Sequence, residues 1–429
     1  MSFYHPIDIN LFIHNRKRLI QHLQPNSLVV LNSNDIMPTD GDGIMGFRQN
    51  SDLFYLSGID QEETILILYP DAPKSQWKEI LFIKETNEQI ALWEGQKYTQ
   101  EAAKETSGVA NIYWLHEFEA VFHTLMEQAE HVYLNSNEHI RATTLVESRD
   151  KRFTKWCQNK YPLHKYERLA RIMHQLRIVK SELEIDLIRQ ACAITEKGFR
   201  RILSVIKPEI MEYEIQAELV YEFIRNRSRG FAYEPIIASG ANACILHYSS
   251  NNQACKAGSA ILLDVAAEYA NYCSDLTRVV PVSGRFTVRQ KAVYSAVLRI
   301  MRQAEKCLLP GNNLNTYHQS LVEIIEKELV DLGLLTWEDI KNQDPNHPAY
   351  KKYFMHGVSH HLGLNVHDVG NVYENFKSGM VFTIEPGIYI REEGLGIRLE
   401  NNYVIREHGV DNLMANIPIE VDEIESLMQ

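Results

Sequence analysis

Four carboxylates interrupt segments of this 429-residue chain that otherwise have the composition of buried β-strands. Asp264 ends the apolar run AILL, and Asp275 follows eleven residues later within YCSDLTRVV. Glu385 divides MVFTIEPGIYI, and Glu400 ends GIRLE two residues after Arg398. An ionised carboxylate in an apolar core must be paired or must bind a cation. Any one of these acids has an ordinary interpretation as a buried ion pair, but the four together favour a shared cation site.

The spacing of the two aspartates indicates how the acids can meet. The stretch AEYANY between them is a possible turn, so antiparallel pairing would put Asp264 and Asp275 side by side. Like charges directly opposite each other are destabilising, and a bound cation would relieve the repulsion. Taken alone, each aspartate has the alternative interpretation of a turn cap.

The segment 354–370, FMHGVSHHLGLNVHDVG, supplies four imidazoles: His356, His360, His361 and His367. Its glycines favour loop and strand over a regular helix. We interpret one of these histidines as a metal ligand and the others as lining the site, with His361 in a structural role. The HxxxH spacing of His356 and His360 is not the zinc-protease motif HExxH, because Gly357 stands where the glutamate is needed.

A site of four carboxylates and one imidazole is rich in oxygen donors. Such a donor set suits divalent manganese, iron or cobalt better than a thiolate zinc site does. Carboxylates in this number can bridge, which predicts two metal ions roughly 3.5–4 Å apart, as in hydrolytic two-metal sites. Such a pair would acidify a bound water and supply hydroxide near neutral pH.

The length and the pattern of elements predict an α/β (α+β) protein with two domains, residues 1–173 and 174–429. In the first domain, strand-like runs such as SLVVLNS and FYLSGI alternate with helical stretches. In the second, strands and paired helical patterns occur in two successive blocks, which indicates a duplication in shape. The boundary falls near 173–178, where a long helical pattern is interrupted.

Composition excludes several classes of function. Lys and Arg total 44 against 56 Asp and Glu, a formal net charge of −12, so no nucleic-acid partner is expected. Six cysteines without a CxxC pair indicate reduced thiols and a cytoplasmic location. No apolar run approaches the ~18 residues of a membrane span, and the first residues do not have the pattern of a signal peptide.

Three nucleotide or nucleophile motifs are also excluded. The segment GDGIMG (41–46) matches GxGxxG literally, but a strand-like run follows it where a dinucleotide site needs a crossover helix. The sequence contains no phosphate-binding GxxxxGK[ST] loop and no GxSxG nucleophile elbow.

Five segments carry a resemblance to a known family: ANACILHYSSN, ILLDVAAEYANYCSDLTRVVPVSGRF, FMHGVSHHLGLNVHDVG, VFTIEPGIYI and GIRLENNYVI. They resemble the aminopeptidase P (Xaa-Pro aminopeptidase) family of pita-bread metallopeptidases, and FRQNSDLFYLSGI resembles that family's non-catalytic domain. The resemblance covers nearly the whole chain. It implies an N-terminal mixed α/β domain, a C-terminal pita-bread catalytic domain, two divalent metal ions (manganese foremost), peptide substrates that begin Xaa-Pro, and a homodimer or homotetramer.

The resemblance implies a role for each matching residue of the metal site. Five positions match the ligands of the two ions: Asp264, Asp275, His360, Glu385 and Glu400. Asp275 and Glu400 would bridge the ions, Asp264 would bind one, and His360 and Glu385 the other. Glu385 would also be the general base that acts on the bridging water.

Other matches imply contacts with the substrate. His247 matches a histidine beside the site, and His356 and His367 match two that line the proline subsite and help to hold the tetrahedral intermediate. Tyr233 matches a tyrosine close to the metals. Arg398 matches an active-site arginine. One departure is His361, which replaces the usual bulky aromatic residue and is expected to face away from the metals.

Two matches concern contacts between domains or subunits. Asp42 stands where the family has an N-terminal-domain aspartate that interacts with the active-site arginine. Trp93 falls where the family lends a tryptophan to a neighbouring subunit's site.

Alternative functions share parts of this pattern. A prolidase restricted to Xaa-Pro dipeptides would keep the same metal set, and a tripeptide substrate would distinguish it. A non-catalytic pita-bread binding module and a creatine-type hydrolase are disfavoured because relatives of those kinds lack metal ligands. The large N-terminal domain disfavours a methionine aminopeptidase.

Overall fold

The structure, a computed structural model, describes residues 3–142 and 145–429. The chain divides into two compact units, Met1–Arg177 and Ile178–Gln429. Both units contain helices and strands, so the predicted mixed α/β class is confirmed. Within the described ranges, no helix is long and apolar enough to cross a bilayer.

The N-terminal unit alternates helices and strands. In chain order its elements are α1 Ile9–Ile20, β1 Ser27–Asn32, α2 Ser51–Ser57, β2 Ile65–Leu68, β3 Glu79–Ile83, α3 Glu88–Glu94, α4 Gln100–Ser107, β4 Asn111–Trp114, α5 Phe118–Met126, β5 His131–Leu134, α6 Arg149–Lys160, β6 Lys165–Arg168 and α7 Ala170–Ile178. One six-stranded sheet has the order β4-β3-β2-β1-β5-β6. Its centre is antiparallel, whereas β3–β4, β1–β5 and β5–β6 pair in parallel.

The prediction of a strand at FYLSGI is wrong, because Ser51–Ser57 forms helix α2. The side chain of Asn50 caps the helix by accepting from the backbone N–H groups of Asp52 and Leu53. Gly58 ends the helix in the left-handed conformation with φ of 67°. Six of the seven residues in α2 are buried. A short helix without a polar face cannot be distinguished from a buried strand by periodicity.

The C-terminal unit consists of paired helices and small antiparallel sheets. Its elements are α8 Glu182–Leu203, α9 Glu212–Arg225, β7 Ile236–Ser239, β8 Ala260–Asp264, β9 Glu268–Tyr269, β10 Tyr272–Cys273, β11 Thr277–Pro281, α10 Val288–Cys307, α11 Leu314–Asp331, α12 Trp337–Lys341, β12 Val381–Ile384, β13 Gly387–Ile390, β14 Leu395–Arg398, β15 Asn401–Arg406, β16 Gly409–Asn412 and α13 Val421–Leu427.

These elements repeat a pattern. Helices α8 and α9 pack together and are followed by the sheet β11-β8-β7, and helices α10 and α11 pack together and are followed by the sheet β12-β15-β16. Two further hairpins, β9–β10 and β13–β14, complete the strands. The two successive blocks agree with the duplication in shape that the sequence pattern predicts.

The register of β8 and β11 corrects the expected pairing of the two aspartates. Asp264 lies opposite Thr277, and Asp275 precedes the paired part of β11. The residues between the aspartates form the separate hairpin β9–β10 rather than a simple turn. Asp264 and Asp275 are therefore near each other without being cross-strand partners.

Glu385 lies at a break between two sheets. The run MVFTIEPGIYI forms β12 and β13, which pair with β15 and β14 respectively. Pro386 follows Glu385, and a proline has no N–H to donate to a ladder. The break removes the carboxylate from the regular sheet and directs it toward the other acids.

Candidate metal centre and active site

Three of the predicted metal ligands form one buried cluster. Asp275, His360 and Glu400 each offer a ligand atom, and these atoms all lie within 4.8 Å of one another. Asp275 precedes β11, and Glu400 follows β14. The Glu400 N–H donates to the carbonyl oxygen of Thr277 at 3.0 Å, which joins these two segments.

The ring of His360 is oriented by its neighbours. Its Nδ1 lies 2.9 Å from the carbonyl oxygen of His361, to which it donates. Its Nε2 lies 3.3 Å from Asp275 Oδ2 and 3.8 Å from Glu385 Oε1. A backbone carbonyl that holds Nδ1–H leaves Nε2 directed at the ligand position, as is usual for histidines that bind metals.

Asp264 and Glu385, the other two predicted ligands, border the three-residue cluster. Asp264 accepts hydrogen bonds from the hydroxyl of Tyr233 and from Nη2 of Arg398, both at 2.6 Å. Glu385 lies near His360 and also near His356, whose Nδ1 is 3.8 Å from Glu385 Oε2. The five predicted ligands are thus brought into one region of the C-terminal unit.

Burial and mutual repulsion change the acidity of these carboxyls. Burial raises the pKa of Glu385 to about 7, although the neighbouring His360 and Arg398 oppose the shift. Burial and the charge of Asp275 raise the pKa of Glu400 and of Asp264 as well. Burial lowers the pKa of His360, but the hydrogen bond to Asp275 and the charge of Glu385 outweigh it, so that the net shift is upward.

This electrostatic state and the donor set fit a divalent metal. The cationic side chains of the protein do not offset the effect of burial, so the pKa values of the acids stay raised. A divalent ion supplies the positive charge that favours their ionised forms. Carboxylate and imidazole donors are those that manganese, iron and related divalent ions prefer.

His356 lies in a continuous chain of hydrogen bonds. Its Nδ1–H donates to the carbonyl oxygen of Gly357, and its Nε2 accepts from the hydroxyl of Tyr389, both at 2.7 Å. The same hydroxyl accepts from Nη1 of Arg398 at 2.8 Å. Burial and the nearby charge of Arg398 lower the pKa of His356 to about 4. The imidazole is therefore neutral at pH 7.

The remaining predicted histidines lie around this centre. The ring centroid of His367, an exposed residue, is 4.5 Å from that of His360 in an edge-on arrangement. His247 is exposed, in the turn after Gly240–Cys244, and its charge contributes to the lowered pKa of His356. His361 is buried, and its ring packs on Phe382 at 4.2 Å between centroids, consistent with a structural role.

Two predicted residues lie in the N-terminal unit. Asp42 is exposed in the loop before α2, where the Gly43 N–H donates to Asp40 Oδ1. Trp93 lies on α3 and is 83% exposed, beside the exposed Leu92. Their predicted contacts involve another domain or another chain, and these roles stay predictions.

Three residues of the site were not recognised from the sequence. Thr277 accepts from Arg398 Nε at 3.2 Å and donates to Glu400 Oε2 at 2.7 Å. Asn402 accepts from the Asp275 N–H at 3.0 Å and donates to the Asp275 carbonyl at 2.7 Å. Tyr389 connects Arg398 to His356. A polar residue inside an apolar run, as Tyr389 is in GIYI, was the available signal, because a buried hydroxyl needs a partner.

The fold and the site together define a metal-dependent hydrolase. The family described as "Metallopeptidase family M24" matches residues 186–407, and "Aminopeptidase P, N-terminal domain" matches residues 12–133. The chain belongs to metallopeptidase family M24, within its aminopeptidase P group of pita-bread proteins, and it is a metallo-exopeptidase.

Individual relatives are similar to this chain over nearly its full length. The chain is 32% identical to an Xaa-Pro aminopeptidase of Haemophilus influenzae, covering 97% of this chain and 96% of the relative. The structure of aminopeptidase PepP from Pseudomonas aeruginosa matches with a TM-score of 0.89 at 31% identity, covering 99% of this chain and 98% of that one. Zinc-substituted aminopeptidase P of Escherichia coli, solved with product, matches with a TM-score of 0.87 at 31% identity and covers 99% of both chains.

Proposed function

We propose that this protein is an Xaa-Pro aminopeptidase, which removes the first residue from peptides that have proline second. The observation that carries the proposal is the buried cluster of Asp275, His360 and Glu400, bordered by Asp264 and Glu385. Full-length similarity to an Xaa-Pro aminopeptidase supports the substrate class.

The five acidic and imidazole side chains would hold two divalent ions, manganese foremost. Asp275 and Glu400 would be shared between the ions, Asp264 would belong to one, and His360 and Glu385 to the other. When bound, the metal pair polarises the scissile carbonyl and acidifies a water molecule. Asn402 and Thr277 support this set, since they hold Asp275 and Glu400 by hydrogen bonds.

The substrate's proline sets special requirements that the histidines can meet. An Xaa-Pro bond has no N–H, and the proline ring fixes φ. A peptidase that recognises its substrate through the N–H of the scissile bond therefore cannot cleave an Xaa-Pro bond. A compact pocket lined by His356, His367 and His247 would instead select the ring by its shape. The free α-amino group would be attracted to the acids, which limits cleavage to the bond after the first residue.

Glu385 would act as the general base. Its position supports this role, because its Oε1 lies 3.8 Å from Nε2 of His360 and its Oε2 lies 3.8 Å from Nδ1 of His356. It would take a proton from the attacking water and deliver it to the leaving imide nitrogen. His367, exposed beside His360, would donate to the oxyanion that develops at the carbonyl, while Arg398 and Tyr389 hold His356.

Tyr233 and the N-terminal unit would also have roles in the enzyme. Tyr233, whose hydroxyl donates a hydrogen bond to Asp264, would contact substrate near the metals. Residues 174–429 would form the catalytic domain and residues 1–173 the accessory domain. Asp42 would interact with Arg398, and Trp93 would serve a neighbouring subunit in a homodimer or homotetramer. The location would be cytoplasmic.

The test is hydrolysis of Arg-Pro-Pro and of Gly-Pro by chelator-stripped protein with and without manganese. We expect manganese-dependent release of arginine from the tripeptide. Glu385→Gln is expected to lower kcat by about 10²–10⁴, the usual contribution of a general base. The matched control is Glu392→Gln, which changes an exposed glutamate seven residues away that pairs with Lys352.

Cleavage of Gly-Pro with an intact tripeptide would contradict the proposal and favour a prolidase. No turnover of either peptide, with two ions shown to be bound, would mean that the family provides the fold without this activity.

A further inference from the structure

A single buried carboxylate holds the loop of residues 240–252. Glu212, the first residue of α9, is 0% exposed. Its Oε1 accepts from the N–H and from the hydroxyl of Ser239, at 2.8 and 2.7 Å. Its Oε2 accepts from the hydroxyl of Tyr248 and from the N–H of Gln253, at 2.8 and 2.9 Å. Glu212 therefore contacts both ends of the loop and a residue inside it.

The four hydrogen bonds require a carboxylate at this position. All four donors are uncharged groups, and each oxygen of Glu212 accepts from one backbone N–H, which can only donate. A glutamine would offer one acceptor oxygen and would turn its NH₂ group toward the donors on the other side. Hydrogen bonds to an ionised acceptor are also stronger than those to a neutral one. The donors thus compensate the burial of the charge, and the charge holds the donors in place.

The two ends of the loop are also anchored through the backbone. The Glu212 N–H donates to the carbonyl oxygen of Gln253 at 3.0 Å. At the other end, Ser239 pairs with Ile261 between β7 and β8, and β8 ends at Asp264. Glu212 connects these two anchored ends through its side chain.

His247 lies in this loop directly before the anchored Tyr248. Tyr248 is 8% exposed, whereas His247 is exposed. His247 is close enough to His356 for its charge to contribute to the lowered pKa of that histidine. The loop also packs closely on β14, because a Cβ at Gly396 would lie 2.2 Å from the carbonyl oxygen of Ala243. A shift of Tyr248 would therefore move His247 relative to the site, and displacements of about 1 Å are costly to an enzyme.

We propose that Glu212 is a positioning residue, which holds His247 at the pocket for the proline ring of the substrate. It acts through the loop of residues 240–252. The inference rests on the Xaa-Pro aminopeptidase activity proposed above and adds to it a residue outside the metal centre.

The first test is steady-state hydrolysis of Arg-Pro-Pro by manganese-loaded full-length Glu212→Gln. Because His247 would line the pocket before and during the reaction, we expect KM to rise by about fivefold or more, with kcat within about twofold of the wild-type value. A variant that only lowered the folded fraction would lower the apparent kcat and leave KM unchanged. The matched control is Glu214→Gln, which changes an exposed glutamate on the same helix that accepts from the Met211 N–H. Its KM is expected to equal that of the wild type.

A double-mutant cycle tests whether Glu212 acts through His247. His247→Ala is expected to raise KM as well, and the double variant Glu212→Gln/His247→Ala should stay within about twofold of His247→Ala alone. Tyr248→Phe provides a second variant if Glu212→Gln does not fold. It removes one of the four hydrogen bonds and is expected to raise KM by about twofold or more.

Hydrogen–deuterium exchange gives a readout that is independent of turnover. The amides of residues 240–253 are expected to exchange faster in Glu212→Gln than in the wild type or in Glu214→Gln, because the loop opens locally when its anchor is weakened. Exchange in the remainder of the C-terminal unit is expected to stay unchanged.

The outcomes separate this inference from the proposed function. An unchanged KM in Glu212→Gln and Tyr248→Phe, or additive effects in the double-mutant cycle, would overturn the positioning role. Unchanged exchange of residues 240–253 would show that Glu212 does not hold the loop. Absence of turnover by the wild-type protein would overturn the proposed function, and the exchange result would then still decide whether Glu212 anchors the loop.

Discussion

Tyr389 connects two side chains of the candidate active site that carry or hold charge. Its hydroxyl receives a hydrogen bond from Arg398 and gives one to His356, and the Nδ1–H of His356 is in turn held by the Gly357 carbonyl. Each group in this chain has a defined donor or acceptor role, so the chain fixes both the tautomer and the orientation of the imidazole. A tyrosine that does not ionise near neutral pH thereby orients His356, the histidine proposed to line the proline subsite.

We expect Tyr389→Phe to lower kcat/KM for Xaa-Pro peptides by about tenfold or more, because Arg398 and His356 each lose a buried partner. Leaving such groups unsatisfied costs about 1–3 kcal/mol, which predicts a comparable fall in the free energy of unfolding. Steady-state kinetics and urea denaturation measure the two effects. Tyr373→Phe is the control, because Tyr373 is 72% exposed. Activity of Tyr389→Phe within twofold of the wild-type value would contradict this role.

The loop from His360 to His367 is the element that carries two of the proposed active-site histidines, and a buried ion pair holds it. Lys180 Nζ lies 3.0 Å from Asp368 Oδ2, and each side chain is 1% exposed. The Asp368 N–H donates to the His361 carbonyl, and the Lys180 N–H donates to the Gly379 carbonyl. Gly363 makes this packing possible, because a Cβ there would lie 2.3 Å from Asp368 Oδ2.

Lys180→Met is expected to destabilise the protein by about 3–5 kcal/mol, since it leaves the buried Asp368 carboxylate without a counter-charge. The double variant Lys180→Met/Asp368→Asn removes both charges and is expected to recover most of the loss. Urea denaturation measures each free energy of unfolding. Lys352→Met removes an exposed lysine that pairs with Glu392 and should cost less than about 1 kcal/mol. A double variant no more stable than the single one would show that charge compensation is not the reason.

At the level of elements, the helical patterns expected in both domains correspond to helices such as α1, α9, α10 and α11, each of which has one apolar and one polar face. Periodicity did not predict α2, which is buried nearly all round. Four apolar runs with internal acids identified the site, since burial of a charge requires compensation. The division of MVFTIEPGIYI between two sheets was not predictable, because the partner strands follow it in the chain. The same limit applies to Asp264 and Thr277, whose register depends on the intervening hairpin.

At the scale of the whole molecule, the buried cluster of acids destabilises the folded state when its carboxyls ionise, and bound metal can remove this destabilisation. The chain has a formal net charge of −12, and three of the proposed ligands have carboxyl pKa values raised by burial and by one another. Without metal, the folded state resists their ionisation. With metal bound, ionisation is favoured, so metal and proton compete for the same oxygens. The stability of the molecule is therefore coupled to pH with opposite signs in the two states.

The direction of the pKa shifts determines whether stability rises or falls with pH. A carboxyl whose pKa is higher in the folded than in the unfolded protein costs stability as it ionises, so stripped protein loses stability as pH rises from about 4.5 to about 7 through the pKa of Glu385. For that residue the loss is on the order of 3 kcal/mol. His360, whose pKa is also raised, contributes in the same direction because it loses its favourable proton as pH rises.

We expect urea denaturation of chelator-stripped protein to give a free energy of unfolding that falls between pH 5 and pH 8. Manganese should stabilise the protein by mass action, and the difference between loaded and stripped protein should widen with pH as protons cease to compete. Stripped Glu385→Gln is the control, because it removes the titrating group and should show a shallower fall. Parallel pH dependences for loaded and stripped protein would mean that these carboxyls are not the groups that bind the metal. In that case the site would have to be sought elsewhere, since ligand residues cannot bind an ion without releasing the protons that they hold.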